Sequence, residues 1–259
     1  MRVEDSLEVV APGEPLDRWR EAIATDLCEL AVLHDCELDA DLVDALHSAS
    51  FPRGLGLRLD GGPGRDAVDL LAAGLQALPL RPDQRTLDDL AADYAAIYLT
   101  YNLRASPFES VWTDPEALTL QESTFQVRDW YRRYGLVAED WRLRADDHLV
   151  CQLQFVAHLL RVDEGQDEAL SAAARFLDEH LLRWVDGFAM RVVSRCATPF
   201  YAGLASLTAA YLHEFRDLLA RLTREPRPTA EEIEERMCPK TALAVDVPVP
   251  HVPGAGPSW

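Results

Sequence analysis

The spacing of apolar residues is the feature that most restricts how this chain can fold. Apolar side chains recur every three or four residues in most segments, as in Pro15 to about Cys36 and in Pro199 to Thr223. No sustained run alternates apolar and polar residues between hairpin turns, so strands are not expected. The sequence therefore predicts an all-α protein, a single helical bundle of about nine or ten helices.

Capping signals and prolines predict where several of these helices begin. Thr86 and Asp89 have the spacing of a capping box, and so do Thr229 and Glu232. Pro115 is placed to start the helix that follows the central loop, because proline is favoured in the first helical turn. These residues give helix starts that a structure can test.

The helices are expected to form one domain, and the end of the chain differs from it. Residues 1–239 carry the helical pattern, which is interrupted mainly by connecting loops. Residues 240–259 are rich in proline and valine and carry no such pattern. We therefore expect an all-helical domain over 1–239 and a disordered or extended tail over 240–259.

The composition indicates a folded and strongly acidic protein. Of 259 residues 48% are apolar, and the formal net charge is −19. Such a surface repels nucleic acid and anionic membranes and attracts basic ligands or peptides. Lysine is scarce, however, so a salt-rich cytoplasm or a GC-rich genome explains the acidity equally well. Nucleic acid is not an expected partner, and the role of the acidic surface stays open.

Three features of the sequence favour a cytoplasmic location. The five cysteines are scattered, without a CxxC motif, which fits a reducing compartment. The acidic amino terminus lacks the apolar core of a secretory signal peptide. No apolar run reaches the length needed to span a membrane. The sequence therefore predicts a cytoplasmic protein without membrane insertion.

The stretch from Asp93 to Trp112 combines aromatic side chains and carboxylates around one predicted helix end. Tyr94 and Tyr98 lie on one helical face, and Phe108 and Trp112 follow Pro107 in what reads as a short loop. Packing of a helix end onto the core explains these aromatics, and so does an aromatic groove for a ligand. The pattern alone leaves both interpretations open.

The densest polar cluster outside that stretch is Asp146, Asp147 and His148, just before an apolar helix that runs to Arg161. Helix capping by Asp146 or Asp147 explains the carboxylates, because both would lie at a helix amino terminus. An acid–base pair or a metal site is the alternative, and it would make the chain a metal-dependent hydrolase. No HxxxH or HExxH spacing supports that alternative.

Several short motifs together resemble a known family. They are Asp93-Tyr94 with Ile97-Tyr98, the loop PFESVW from Pro107, Asp147-His148 at a helix start, and the segments FLDEHLLRWVDGF and PFYAGLASLTAAYL. Because these motifs occur in this order, the chain is similar to the TorD/DmsD/NarJ family of chaperones, which mature molybdenum-containing redox enzymes. The likeness covers residues 87–212 best, and the amino-terminal helices only by type.

The resemblance implies a chaperone, not an enzyme. Such a chaperone binds the twin-arginine signal peptide of an oxidoreductase precursor and assists insertion of the molybdenum cofactor before export or assembly. The expected partner is therefore the precursor of a catalytic subunit, and the chain is expected to be a monomer or a dimer. No bound cofactor is expected, although weak binding of molybdopterin or guanine nucleotide is associated with the family.

The resemblance also implies a peptide-binding site. A signal peptide presents two guanidinium groups and an apolar segment, for which carboxylates beside an aromatic groove are complementary. Asp147 has a second interpretation, because it could cap its helix and shape the groove without touching a ligand. The implied binding residues are Tyr94, Ile97, Tyr98, Pro107, Phe108, Glu109, Ser110, Trp112, Asp147 and His148.

The chain departs from the family pattern at two places. Ala145 stands where the family often has a proline two residues before the Asp of the Asp-His pair. After that pair the family usually has a Glu-Leu-x-Phe run, and this chain reads Gln152-Leu153-Gln154-Phe155. Fewer carboxylates on this helix weaken a direct role in pairing with arginine. Two alternatives to the chaperone therefore stay open, the hydrolase and a general acidic domain that binds amphipathic helices.

Overall fold

All the regular secondary-structure elements in the described part of the protein are helical. The computed structural model describes residues 14–138, 144–162 and 166–237. Within these ranges there is no β-strand, and no helix is both long and apolar enough to cross a membrane. The all-α prediction is confirmed. The elements are α1 (Glu14–Asp35), α2 (Ala40–Ser48), α3 (Gly62–Gln76), α4 (Gln84–Tyr94), a π-helical turn (Ala95–Leu99), α5 (Ser110–Thr113), α6 (Glu122–Arg133), α7 (Leu149–Arg161), α8 (Gln166–Glu179), a 3₁₀ turn (Leu181–Arg183), α9 (Val185–Val193), α10 (Pro199–Thr223) and α11 (Ala230–Met237).

The chain divides into two units, Met1–Arg227 and Pro228–Trp259. The second unit contains α11, which begins with the capping box that its sequence predicts. The Thr229 amide donates to Glu232 Oε2 at 2.7 Å, and the Glu232 amide donates to Thr229 Oγ1 at 3.2 Å. The predicted domain boundary after residue 239 and the proline-rich tail over 240–259 lie outside the described residues.

Helix α10 is the central element of the first unit. It packs against α3, α8 and α9, while α1 packs along α7. Its side chains Phe200, Tyr211 and Phe215 are fully buried. A Cβ on Gly203 would lie 2.5 Å from the Cα of Leu71, so only glycine allows α3 and α10 to approach this closely.

The start of α4 differs from the predicted capping box. Asp83 caps the helix, because its carboxylate accepts hydrogen bonds from the amide and the hydroxyl of Thr86 at 2.9 and 2.7 Å. Thr86 therefore lies inside the first turn instead of preceding it. The prediction that Thr86 and Asp89 form the cap was wrong by one turn.

Helix α6 also begins later than Pro115 predicts. The Asp114 carboxylate accepts from the amides of Glu116 and Leu118, which folds this segment into a side-chain-stabilised turn. Ala117 and Leu120 then adopt positive φ angles of 55° and 59°, which no α-helix contains. The helix can begin only after these residues, at Glu122.

Candidate functional site

The two motif segments 107–110 and 145–149 lie side by side in the structure. The Leu149 amide donates to the Pro107 carbonyl at 2.8 Å. Phe108 and His148 pair as an isolated antiparallel bridge, and their rings make an edge contact at 4.9 Å. Backbone pairing therefore joins two motifs that are well separated in the sequence.

Asp147 fixes the loop that carries Phe108. Its buried carboxylate accepts from the Ser110 amide at 2.8 Å, across 37 residues of sequence. Its carbonyl accepts from the Glu109 amide at 3.1 Å and from Gln152 Nε2 at 3.0 Å. The geometry assigns Asp147 to positioning of the loop, because its carboxylate faces inward.

The cap of α7 is His148, so the prediction that Asp146 or Asp147 caps this helix was wrong. His148 Nδ1 accepts from the Val150 amide at 3.1 Å. The two carboxylates have other partners: Asp146 accepts two hydrogen bonds from Arg128, at 2.8 and 3.1 Å, and Asp147 holds the preceding loop. Long-range partners thus outcompete the local amides for both carboxylates.

Glu109 lies at the centre of a buried polar network. Its carboxylate, 0% exposed, accepts from Gln152 Nε2 at 2.9 Å and pairs with His180 Nδ1 at 3.1 Å. Arg183 approaches the same carboxylate at 3.7 Å. The dipeptide Glu179-His180 at the end of α8, within the motif FLDEHLLRWVDGF, was the sequence signal for His180, although the role of His180 was not predicted. Through these contacts Glu109 ties the motif loop to α7 and to the 3₁₀ turn.

The π-helical turn at Ala95–Leu99 directs the predicted aromatic residues inward. The Tyr94 hydroxyl donates to the Asp35 carbonyl at 2.6 Å. Tyr98 is bonded to His34 Nδ1 at 2.5 Å, and Ile97 is fully buried in the core. Such π turns widen one helical turn, and they recur at functional sites.

These elements surround a cavity of about 260 Å³. Four of the ten predicted site residues line it, and the others lie behind its wall or beside it. Leu99 and Tyr101 are 60% and 40% exposed, so they lie at the solvent side of the cavity. Its lining consists of His34, Tyr94, Tyr98, Leu99, Tyr101, Phe108, Arg144 and His148.

The cavity wall is largely uncharged. Burial lowers the pKa of His34 to about 3 and, helped by the neighbouring charge of Arg144, that of His148 to about 3. Burial also raises the pKa of Tyr98 well above its ordinary value. Both imidazoles and the phenol are therefore neutral near pH 7, and the cavity offers an aromatic, polar-edged surface with one cation, Arg144.

Arg144 pairs with Asp35 beside this cavity. Its guanidinium Nη2 donates to Asp35 Oδ1, and the two side chains are 40% and 36% exposed. Burial disfavours the charged guanidinium, but the bond to Asp35 outweighs it and raises the pKa of Arg144. Neither residue was predicted as part of the site, since neither belongs to a motif.

Trp112 lies on the side of the motif loop that faces α9, and it does not line the cavity. Its Nε1 donates to the Ser106 carbonyl at 2.8 Å, and the Arg191 guanidinium lies 5.3 Å from its ring centre. A Cβ on Gly187 would lie 2.9 Å from the ring, so glycine admits this contact. The half-buried indole closes the loop onto α9.

Asp93 does not face the cavity either. Its buried carboxylate accepts from the amides of Ala197 and Thr198 at 3.0 and 2.6 Å, and from the Thr198 hydroxyl at 2.6 Å. These groups lie just before α10, at its amino-terminal end. Asp93 therefore anchors the start of the central helix.

The arrangement gives no support to a metal-dependent hydrolase. Asp146 is engaged by Arg128, Asp147 by a backbone amide, and the Nδ1 of His148 by the amide that it caps. Over the described ranges, no group of three or more His, Cys, Asp or Glu side chains could hold a metal ion. The three residues proposed for that chemistry serve the fold instead.

Comparison with known proteins identifies relatives of this chain. Residues 63–190, which include both motif segments, match the family described as nitrate reductase delta subunit. The chain is 31% identical to chaperone protein TorD of Vibrio cholerae over 198 residues, covering 73% of this chain and 88% of that protein. It is 27% identical to chaperone protein TorD of Aliivibrio fischeri over 154 residues, 57% of this chain and 71% of the relative. It is 29% identical to chaperone protein TorD of Shewanella piezotolerans over 154 residues, which cover 56% of this chain and 68% of that protein. The chain belongs to the TorD family of molybdoenzyme chaperones.

Proposed function

We propose that this chaperone acts in the cytoplasm and recognises the twin-arginine signal peptide of a molybdenum-containing oxidoreductase precursor. Binding would hold the precursor until its cofactor is inserted, before export or assembly. The observation that carries the proposal is the aromatic cavity between the π-helical turn and the paired motif segments.

The chemistry of the cavity is complementary to the apolar part of a signal peptide. Aromatic rings and neutral imidazoles give apolar contact area, and the one cation of the lining, Arg144, is paired with Asp35. Leu99 and Tyr101 extend this surface to solvent. A volume of about 260 Å³ suits one or two large side chains, so the cavity is an anchor pocket and the remaining peptide lies across the surface.

The charge of the protein favours the basic part of the same peptide. With a net charge of −19 the chain attracts a cationic segment over long range and speeds the encounter. Two adjacent arginines followed by an apolar run therefore match an acidic protein with an apolar pocket. A general helix-binding domain would not require paired arginines, so peptides with and without them separate the two functions.

The predicted site residues divide into two roles in this proposal. Tyr94, Tyr98, Phe108 and His148 form the wall that the peptide would touch. The others lie buried behind that wall or, for Trp112, brace the loop against α9, and we assign them to positioning of the wall: Ile97, Pro107, Glu109, Ser110, Trp112 and Asp147.

Calorimetric titration of the full-length protein tests this function. The probe is a synthetic peptide with two adjacent arginines followed by an apolar run of about twelve leucine and alanine residues. We expect a dissociation constant of about 1 to 10 μM, because the pocket is small and the peptide must become ordered. A negative heat-capacity change should accompany binding, as apolar surface is buried.

Two control peptides show which features are recognised. Replacing both arginines with lysine keeps the charge but removes the planar guanidinium groups, and it should weaken binding. Replacing two leucines of the apolar run with aspartate should abolish it. Equal binding of all three peptides, or no binding of any, would contradict the proposed function.

A further inference from the structure

The geometry points to Arg144 as an internal substitute for a guanidinium group of the signal peptide. We propose that a peptide arginine displaces Arg144 from Asp35 and that this exchange opens the cavity to the apolar segment. The inference rests on the proposed function and adds to it a mechanism for selecting arginine.

The position of Arg144 connects two features that a signal peptide would need. Its side chain lines the aromatic cavity and at the same time donates to the Asp35 carboxylate. The Asp35 carbonyl accepts the hydroxyl of Tyr94, another lining residue, at 2.6 Å. The carboxylate therefore lies at the edge of the cavity, and a guanidinium group already occupies it.

Asp35 differs from the other carboxylates near the site. Asp93, Glu109 and Asp147 are at most 6% exposed, and each has internal partners from the fold itself. The Asp35 side chain is 36% exposed, and its partner is a long side chain that can rotate away. A peptide arginine can thus reach Asp35 without unfolding any part of the protein.

The exchange is chemically conservative. One guanidinium replaces another, so the carboxylate keeps a charge-assisted hydrogen bond of the same kind. Ion pairs as exposed as this one contribute little to stability, so Arg144 can leave at a small cost. Glu37 and Asp39, both exposed, follow Asp35 in sequence and keep the vicinity favourable for a second cation.

The exchange would also explain why arginine and apolar recognition depend on each other. While Arg144 holds Asp35, its side chain forms part of the cavity wall and places a cation there. An apolar segment alone would break this ion pair and bring no replacement for it. A peptide that brings its own guanidinium removes both obstacles, so binding of the two parts is coupled.

Variants of Arg144 test the inference in the same calorimetric titration. Arg144→Gln should bind the twin-arginine peptide about threefold more tightly than the unaltered protein, because it no longer competes for Asp35. Arg144→Lys keeps the net charge but pairs less well with a carboxylate, so it should also tighten binding, by a smaller factor. Asp35→Asn should weaken binding of the same peptide.

Arg53→Gln is the matched control. Arg53 forms an exposed ion pair with Asp69 at 3.1 Å and does not line the cavity, so Arg53→Gln changes the net charge and breaks an exposed ion pair without altering the cavity. The gain in affinity for the twin-arginine peptide must be larger for Arg144→Gln than for Arg53→Gln. The gain for Arg144→Gln must also be smaller when the twin-lysine peptide is used. Thermal unfolding of each variant verifies that it is folded.

Two results would overturn the inference while the proposed function stands. One is unchanged or weaker binding by both Arg144 variants, which would mean that Arg144 contacts the peptide or only shapes the wall. The other is an Asp35→Asn variant that binds as well as the unaltered protein. Failure of every version to bind the peptide contradicts the inference together with the proposed function.

Discussion

Individual side chains around the cavity show how burial decides the role of a polar residue. His34 is 1% exposed and bonded at both ring nitrogens, to the Tyr98 hydroxyl at 2.5 Å and to Thr208 Oγ1 at 2.8 Å. Thr208 donates its proton to the Leu204 carbonyl, so it accepts from His34 Nε2. The remaining nitrogen, Nδ1, then accepts from Tyr98. This pattern needs a neutral imidazole.

The neutrality of His34 predicts a loss of stability in mild acid. Its pKa is about 3 in the folded protein against about 6.5 when unfolded, so between these values the unfolded chain binds the extra proton. The stabilisation that the neutral His34 imidazole contributes to the folded state is complete above about pH 6.5 and declines as the pH falls below that value. Between pH 6.5 and 4.5 this one group should cost about 2 to 3 kcal/mol of unfolding free energy.

Urea-induced unfolding at several pH values measures this effect. The His34→Gln variant keeps a donor and an acceptor at the site but does not titrate, so its stability should fall less steeply over the same interval. The comparison uses the slopes, because the substitution also changes stability at neutral pH. Parallel slopes for the two proteins would show that His34 is not held neutral by the fold.

At the scale of the elements, the sequence predicts helices well and their ends less well. Apolar periodicity is local, so α1 and α10 begin and end close to the predicted residues. The cap predicted for α7 fails because a distant partner binds each of the two carboxylates expected to cap it. Asp146 binds Arg128 and Asp147 binds Ser110, which leaves His148 to cap α7. No pattern within a short window contains that information.

The contact between elements that we expect to matter most is the one that Glu109 makes. Glu109→Ala would leave His180 Nδ1 and one hydrogen bond of Gln152 without their buried partner. Unsatisfied buried groups are costly, so we expect a loss of about 3 kcal/mol in the free energy of unfolding. Urea denaturation monitored by tryptophan fluorescence measures it.

Glu116→Ala is the control for that substitution, because Glu116 is exposed in the turn before α6. Its effect should stay within about 0.5 kcal/mol. Glu109→Gln keeps an acceptor for Gln152 and should recover part of the loss. Equal stabilities of the Glu109→Ala and Glu116→Ala variants would remove the structural role assigned to the buried network.

For the whole molecule, the fold class and the family could be predicted, but the lining of the candidate cavity only in part. Motifs identified Tyr94, Tyr98, Phe108 and His148, because each lies in a short segment with a recognisable pattern. His34 and Arg144 come from segments without a motif and reach the cavity only through tertiary packing. The resemblance implied Glu109 and Asp147 as binding residues, and in the structure both carboxylates are buried.

The most direct test of the central claim, that the cavity is the peptide site, compares two leucines. Leu99 lines the cavity and Leu80 does not, yet each is 60% exposed. Leu99→Ala and Leu80→Ala therefore remove equal side chains at little cost in stability. The dissociation constant of the twin-arginine peptide should rise about tenfold for Leu99→Ala, through lost apolar contact, and stay unchanged for Leu80→Ala. Equal constants for the two variants would contradict the assignment of the site.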